Sequence, residues 1–242
     1  MQREHKIQLS ARLSGIAAMV TKGNRLVDVG CDHGYLPVFL VLNGIVPSAI
    51  AADVRKGPLL RAKEHIGQYG AADRIQTRLS DGLEQIKAGE GDTLVIAGMG
   101  GPLMERILTA GALVRDSFSE WILQPQSDIP HVRHFIQEQG WKICEEEMIL
   151  EEGKFYTILK ALPRLAGEKV LPWTKEEEAF GRFLLQRRHP VLREYLQREL
   201  RIRQNILDKL AAASGEGSVQ RREEIEEERR LIRAALKRYE GV

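Results

Sequence analysis

The sequence predicts an α/β fold: a seven-stranded, mostly parallel sheet followed by an antiparallel pair of helices. Three observations carry this. The apolar, β-branched run Leu26–Val29 stops at Gly30, and Gly34 follows four residues later. That is the pattern of a buried parallel strand feeding a tight turn and a helix. Comparable apolar runs then alternate with helical periodicity as far as Gly140 and close in a hairpin, as an α/β sheet requires. Beyond Trp173 the chain becomes rich in Arg, Glu and Leu at helical spacing.

The elements follow in order. Ser10 to Val20 sets Leu13, Ile16, Ala17 and Val20 on one helical face, with Ser10 as N-cap. Lys22-Gly23-Asn24 turns the chain into the first strand, and Ser48–Val54 is the second. Gly57 and Pro58 open a helix through Leu60, Ala62 and Ile66, with Pro58 at its first position. Ile75–Leu79, Thr93–Ala97 and Trp121–Leu123 are strands three to five, and His131–Gln139 is a helix closed by Gly140. Met148–Leu150 and Phe155–Leu159 flank Glu151–Lys154 as a β-hairpin.

Residues 163–172 read as a linker, dividing the chain into domains at 1–165 and 166–242. In the second, arms at 176–213 and 219–239 are separated by a Gly/Ser turn at 214–218 and should pack antiparallel, like a short coiled coil. Leu185, Leu192 and Leu196 form one stripe on the first arm; Tyr195, Ile202, Ile206 and Leu210 form another. Ile225, Ile232, Leu236 and Tyr239 line the second arm, and Pro190 is expected to kink the first.

Bulk properties bound the function. The 242 residues suffice for one sizeable α/β domain and an appendage, and 43% hydrophobic with 29% charged residues is ordinary for a globular chain. A net charge of +2 gives no overall polyelectrolyte character. Cys31 and Cys144 make no disulfide framework, no Cys/His spacing suits a metal, and no run approaches the ~20 apolar residues of a membrane span. A reducing, cytoplasmic setting without membrane or metal is expected.

The chemistry lies at the strand ends. The first turn reads Asp28-x-Gly30-x-Asp32-x-Gly34, with Asp32 where dinucleotide-binding loops carry their middle glycine. A carboxylate there repels a phosphate and tolerates a cation. The cofactor implied is S-adenosyl-L-methionine, a sulfonium without phosphate, rather than NAD. Gly30, Cys31, Asp32 and Gly34 would pack around its methionine part. Asp53, beside Val54, ends the second strand about 20 residues after the turn, where an acid commonly binds ribose hydroxyls. Asp81 and Gly82 end the third strand, placed for an adenine amino group. Gly98, Met99 and Gly100 end the fourth, beside the transferred methyl. Each is individually a common turn residue. Their succession at four strand ends is the specific signal.

Leu9-Ser-x-Arg12-Leu, Val29-Gly-Cys-Asp-His-Gly-Tyr-Leu-Pro37, Ser80-Asp-Gly-Leu83, Val95-Ile-Ala-Gly-Met-Gly-Gly101 and Ile122-Leu-Gln-Pro125 resemble the bacterial TrmK family. The resemblance covers nearly the whole chain, including the Glu-Gly-Lys-Phe-Tyr hairpin and the C-terminal helix pair. It implies a class I, Rossmann-like methyltransferase that modifies N1 of adenosine 22 in tRNA. Arg12 falls at a family position near the cofactor; the alternative is an ordinary surface arginine. Departures are Cys31 for Ser or Thr, Asp53 for Glu, and Gln126 for Asn.

Adenine N1 already carries a lone pair, so its methylation needs alignment rather than deprotonation. Gly-Met-Gly-Gly stands where amine-methylating enzymes carry an Asn/Asp-Pro-Pro-aromatic motif, leaving an open approach. Asp32 is the catalytic candidate, holding the adenine amino group or balancing positive charge on the ring; its other reading is a cap on the following helix. His33 is either structural or adenine-positioning, and Cys31 reads as a packed residue rather than a nucleophile.

From Arg182 to Lys209 there are eight Lys/Arg and three Asp/Glu, an excess of five; from Arg221 to Glu240 there are seven and six. Arg182, Arg187, Arg188, Arg193, Arg198, Arg201 and Arg203 are therefore the candidate phosphate contacts, unless they serve as i,i+4 ion pairs on a solvated face. The alternatives are another methyltransferase sharing the donor site, an NAD-dependent oxidoreductase, and an RNA-binding module with an inactive fold. Oligomeric state is left open.

Overall fold

The computed structural model describes residues 7–165, 167–168, 171–211 and 216–240. The chain divides into two units, residues 1–169 and 170–242.

In the first unit, α1 (Ala11–Met19) is capped by Ser10, whose side chain accepts from the Leu13 N–H. It is followed by β1 (Leu26–Val29), α2 (Tyr35–Leu42), β2 (Ala49–Asp53), α3 (Lys56–Gln68), β3 (Ile75–Leu79) and β4 (Thr93–Met99). Then come α4 (Gly101–Ala110), the single turn α5 (Ala112–Arg115), β5 (Glu120–Pro125), α6 (Ile129–Glu138), β6 (Trp141–Glu151) and β7 (Lys154–Pro163).

The strands form one sheet in the order β3-β2-β1-β4-β5-β7-β6. β7 alone runs against the others, pairing antiparallel with both β5 and β6. β1 pairs in parallel with β2 on one side and β4 on the other, in register Leu26↔Ala49 and Leu26↔Thr93. Chain order reverses there, and open α/β sheets leave a crevice at such a point. β1, β2 and β5 are buried along their whole lengths, as strands covered on both faces must be.

This core also holds ionic groups. Glu120 accepts from the Thr21 and Thr93 hydroxyls and pairs with Lys160 at 2.9 Å; Arg133 pairs with Glu146 at 2.8 Å, fully buried. Trp121 stacks on Trp141 with ring centroids 3.6 Å apart.

The sequence places these elements well but shortens the hairpin, whose strands run to 11 and 10 residues. Pro58 is the third residue of α3 rather than its first, and Leu60 on that helix is exposed.

In the second unit, α7 (Lys175–Phe180) begins at a capping box between Thr174 and Glu177. Next come α8 (Arg182–Gln186), α9 (Pro190–Ala211) and α10 (Glu216–Lys237). The expected first arm is thus three helices. Gly181, at φ +94°, breaks it between α7 and α8, and Arg188 at φ +50° turns the chain before α9. Pro190 opens α9 instead of kinking a longer helix, because its missing N–H costs nothing at a helix start.

α9 and α10 pack antiparallel. Arg203 bonds Glu228, Arg229 bonds Gln204, and the Tyr239 hydroxyl donates to the His189 carbonyl. Leu192, Leu196, Leu207, Ile225, Ile232 and Ala235 are buried in this unit, whereas Ile202 is exposed. The Gly/Ser turn expected at 214–218 begins outside the described residues, and Glu216 already lies in α10.

Candidate functional site

The carboxyl ends of β1, β2 and β4 and the turn after β3 surround a cavity of about 510 Å³, within the roughly 300–1,000 Å³ of small-molecule sites. The amides of Gly30 and Cys31 both donate to the Ala52 carbonyl, at 2.8 and 3.0 Å, drawing the first turn against β2. Gly30 sits at φ +78°, and a Cβ on it would lie 2.3 Å from the Met99 Cε. The flexible Met99 side chain, at the tip of β4, fills the space over β1 that a Cβ here would take.

Asp32 follows at φ +50°, a left-handed conformation that is uncommon away from glycine and clusters at functional sites. Its side chain is 64% exposed and lies 3.6 Å from His33 Nε2. The N-cap of α2 is Gly34 and no side chain caps the helix, so Asp32 lines the cavity and does not serve as the helix cap.

Two further acids lie deeper. Asp53 is buried at the end of β2 and accepts from the Arg55 amide at 2.8 Å. Asp28, in the middle of β1, is fully buried. Burial pushes its carboxyl up to about 7, the nearby Asp53 charge adds to this, and Arg12 partly offsets it. Burial likewise raises the Cys31 thiol well above its ordinary value, so Cys31 is a packed residue with no thiolate character.

At the rim, Asp81 pairs with Arg106 at 3.3 Å. Gly82, at φ +56°, takes the Ile107 side chain where a Cβ would stand.

Arg12 is no ordinary surface arginine. Its Nη1 donates to Gln124 Oε1 at 3.1 Å, and its guanidinium lies over the Tyr156 ring, 5.7 Å from the centroid. Glu151 holds the first turn of α1 to the hairpin by accepting from the Ala11 amide at 2.5 Å.

The same Gln124 oxygen accepts from the Gly98 amide at 3.2 Å. The β4–β5 register shifts between Ala97 and Met99, so Gly98 loses its ladder partner and Gln124, completely buried, replaces it.

Of the expected donor-site residues, the cavity is lined by Arg12, Gly30, Cys31, Asp32, Asp53, Val54, Asp81, Gly82, Gly98 and Met99. Gly34 and Gly100 are not among its lining residues. Gly34 lets α3 approach, a Cβ there lying 3.2 Å from that of Ala62; Gly100 is the N-cap of α4, packed near Ser127.

The sequence assigned no role to Asp28 or Gln124. An acid inside an otherwise apolar strand was the available signal for the first. For Gln124 the signal was limited to its place in the Ile122-Leu-Gln-Pro125 stretch, because its partners are a residue of α1 and a bulge in β4.

In the second unit, Arg187, Arg188, Arg193, Arg198 and Arg201 are exposed. Arg182 and Arg203 depart from their expected role. Arg182 binds Glu177 and the carbonyls of Leu171 and Pro172 and lies over Trp173, while Arg203 pairs with Glu199 and Glu228. These guanidiniums are spent on their own unit.

Among the described residues no group of His, Cys, Asp and Glu is disposed to hold a metal, and no helix is long and apolar enough to cross a membrane.

The strand order, the single reversed strand and a cavity lined by acids at the parallel strand tips define a class I methyltransferase fold. In agreement, the methyltransferase domain family matches residues 9–159. The chain belongs, further, to the family of the tRNA (adenine(22)-N(1))-methyltransferase of Bacillus subtilis strain 168, with 32% identity over 96% of this chain and 98% of that one.

Solved structures agree. The Bacillus subtilis tRNA methyltransferase TrmK superposes with a TM-score of 0.82 at 32% identity, covering 95% of this chain and 99% of that one. A Streptococcus pneumoniae protein in complex with S-adenosyl-L-methionine does so with a TM-score of 0.84 at 31% identity, covering 95% and 100%.

Proposed function

We propose that this chain transfers a methyl group from S-adenosyl-L-methionine to N1 of adenosine 22 in tRNA. The observation that carries the reading is the match to the curated Bacillus subtilis enzyme over 96% of the chain, a span that takes in both units.

The cavity suits the donor. Its first turn offers an exposed carboxylate, Asp32, where a pyrophosphate site needs bare backbone. Bound S-adenosyl-L-methionine supplies an electrophilic methyl on a positively charged sulfur. Asp53 is the acceptor for the ribose hydroxyls, and Asp81 with Gly82 borders the adenine. Gly30, Cys31 and Val54 shape the walls, with Arg12 fixed above Gln124. Gly98 and Met99 present backbone and a flexible side chain toward the incoming base.

No general base is required, because N1 attacks with its own lone pair. Asp32 stands at the mouth to hold the adenine amino group and to balance positive charge arriving on the ring, a preorganised electrostatic contribution. The exposed Arg187, Arg188, Arg193, Arg198 and Arg201 bind tRNA phosphates, which position the substrate without reading its sequence. Two free cysteines and a tRNA substrate support a cytoplasmic setting.

The decisive experiment incubates the purified chain with donor and unmodified tRNA transcript and maps the methylated nucleoside by mass spectrometry. One-methyladenosine at position 22 is expected. A methyl group at another base, or none on tRNA, overturns the reading.

A further inference from the structure

A row of aromatic rings leaves the mouth of the cavity and crosses onto α3. His33 and Tyr35 line the cavity, and their ring centroids are 6.0 Å apart. Tyr35 meets His65 edge-on at 4.6 Å, and His65 meets Tyr69 at 6.3 Å. His65 is oriented by its Nδ1–H, which donates to the His33 carbonyl at 3.1 Å. His65 is therefore tied to the loop that carries Asp32. Tyr35 is exposed, and His33, His65 and Tyr69 are half-buried.

The helix geometry adds a cation. Pro58, Ala62 and Ile66 form the buried face of α3. Arg61 precedes His65 by one turn, so the two share a flank of the helix, and Arg61 is exposed. Arg55 stands exposed on the cavity rim. Aromatic rings flanked by exposed arginines on the same helix and on the cavity rim suit unpaired bases and their phosphates. His65 and Tyr69 lie outside the cavity lining; Tyr69 rests one side against the core, and both rings remain half-exposed.

We infer that Tyr35, His65 and Tyr69 form a stacking platform for an unpaired nucleotide flanking the target adenosine, with Arg61 on its phosphate. This rests on the reading of the chain as a tRNA methyltransferase. It adds that the α/β unit itself grips the RNA beside the reacting base. Methylating a base of folded tRNA requires swinging it out of its stack, and a platform for its neighbour lowers that cost.

The test replaces His65 and Tyr69 together, neither of which lines the cavity. In the full chain, His65→Leu/Tyr69→Leu is compared with His65→Phe/Tyr69→Phe, which keeps two rings. Affinity for unmodified tRNA transcript is measured without donor, the KM for tRNA with donor, and donor affinity by calorimetry.

The leucine pair is expected to weaken tRNA binding and raise its KM by about 5- to 150-fold, the range for losing one base–aromatic stack. Both pairs forfeit the same His65–His33 bond, so donor affinity should be equal in the two, and the phenylalanine pair should hold tRNA more tightly than the leucine pair. Unaltered tRNA affinity in the leucine pair overturns the platform while leaving the tRNA reading intact. Equal losses of tRNA affinity in both pairs, or a loss of donor binding confined to the leucine pair, overturn it by showing a purely structural role. Failure of the unmutated chain to bind or methylate tRNA removes the underlying reading and the platform with it.

Discussion

The Gly98 amide donates to Gln124 Oε1 at 3.2 Å, across the point where the β4–β5 ladder slips. The same oxygen takes the Arg12 guanidinium at 3.1 Å, so one buried side chain joins α1, β5 and the cavity floor. The bulge re-aims Met99 over Gly30, and its missing ladder bond is supplied by this single side chain.

Gln124→Leu should leave the Gly98 amide and the Arg12 head without their acceptor. Losing a buried partner costs about 1–3 kcal/mol, readable in urea unfolding. Arg12→Ala should cost less, because the Gly98 bond survives. The double variant should lose less than the two singles combined, since they share one acceptor. Strict additivity would break the proposed linkage.

Gly30→Ala should lower donor affinity tenfold or more. The new methyl meets Met99 Cε at 2.3 Å and sits at φ +78°, where an L-residue pays about 1–2 kcal/mol. Adding Met99→Ala relieves the clash but not the backbone strain, so calorimetry should show partial recovery. Full recovery would mean that the backbone conformation of Gly30 is unimportant.

Asp28 makes stability fall as pH rises. Its carboxyl titrates near 7 in the folded chain against 3.8 ordinarily, with burial the main cause. Between those values the folded state holds a proton that the unfolded chain releases, so stability declines through this window and levels off above 7. Asp28→Asn should abolish the decline and be the more stable form at pH 8, by up to about 4 kcal/mol. Glu120 acts in the opposite direction and elsewhere. Burial raises its carboxyl, but bonds from Thr21, Thr93 and Lys160 outweigh that and leave it below 4.5. Its contribution is lost only as the solution becomes more acidic. Denaturant unfolding at pH values below 4.5, near 6 and at 8 separates the two.

Neutralising Arg187, Arg188 and Arg193 with glutamine should weaken tRNA binding and reduce the slope of log affinity against log salt by about 2–3, at roughly 0.7–0.9 per lost phosphate contact. Donor affinity should not change. Arg182→Gln should instead lower the stability of the helical unit, because it removes the partner of Glu177 and of two carbonyls. An unchanged salt slope in the triple variant would take the phosphate role away from these residues.

Local pattern sufficed for much of the molecule. The apolar runs at Leu26, Ala49, Ile75, Thr93 and Trp121, each closed by Gly, Asp or Pro, fix strands, turns and chain order, because strand period and turn chemistry act over a few residues. They also place Asp53, Asp81 and Gly98 at strand tips, where a parallel sheet opens to ligands. Other features depend on residues far apart in the chain. Arg12 and Gln124 are 112 positions apart, and Glu151 and Ala11 are 140 apart. Arg203 meets Glu199 within its own helix, as i,i+4 spacing allows, but its second acid, Glu228, comes alongside only when α10 folds back on α9. Asp28 looks like any strand acid until the sheet closes over it, for burial and the field of Asp53 exist only in three dimensions. Backbone periodicity is written locally, whereas charge environment and hydrogen-bond partnership belong to whatever the fold brings together.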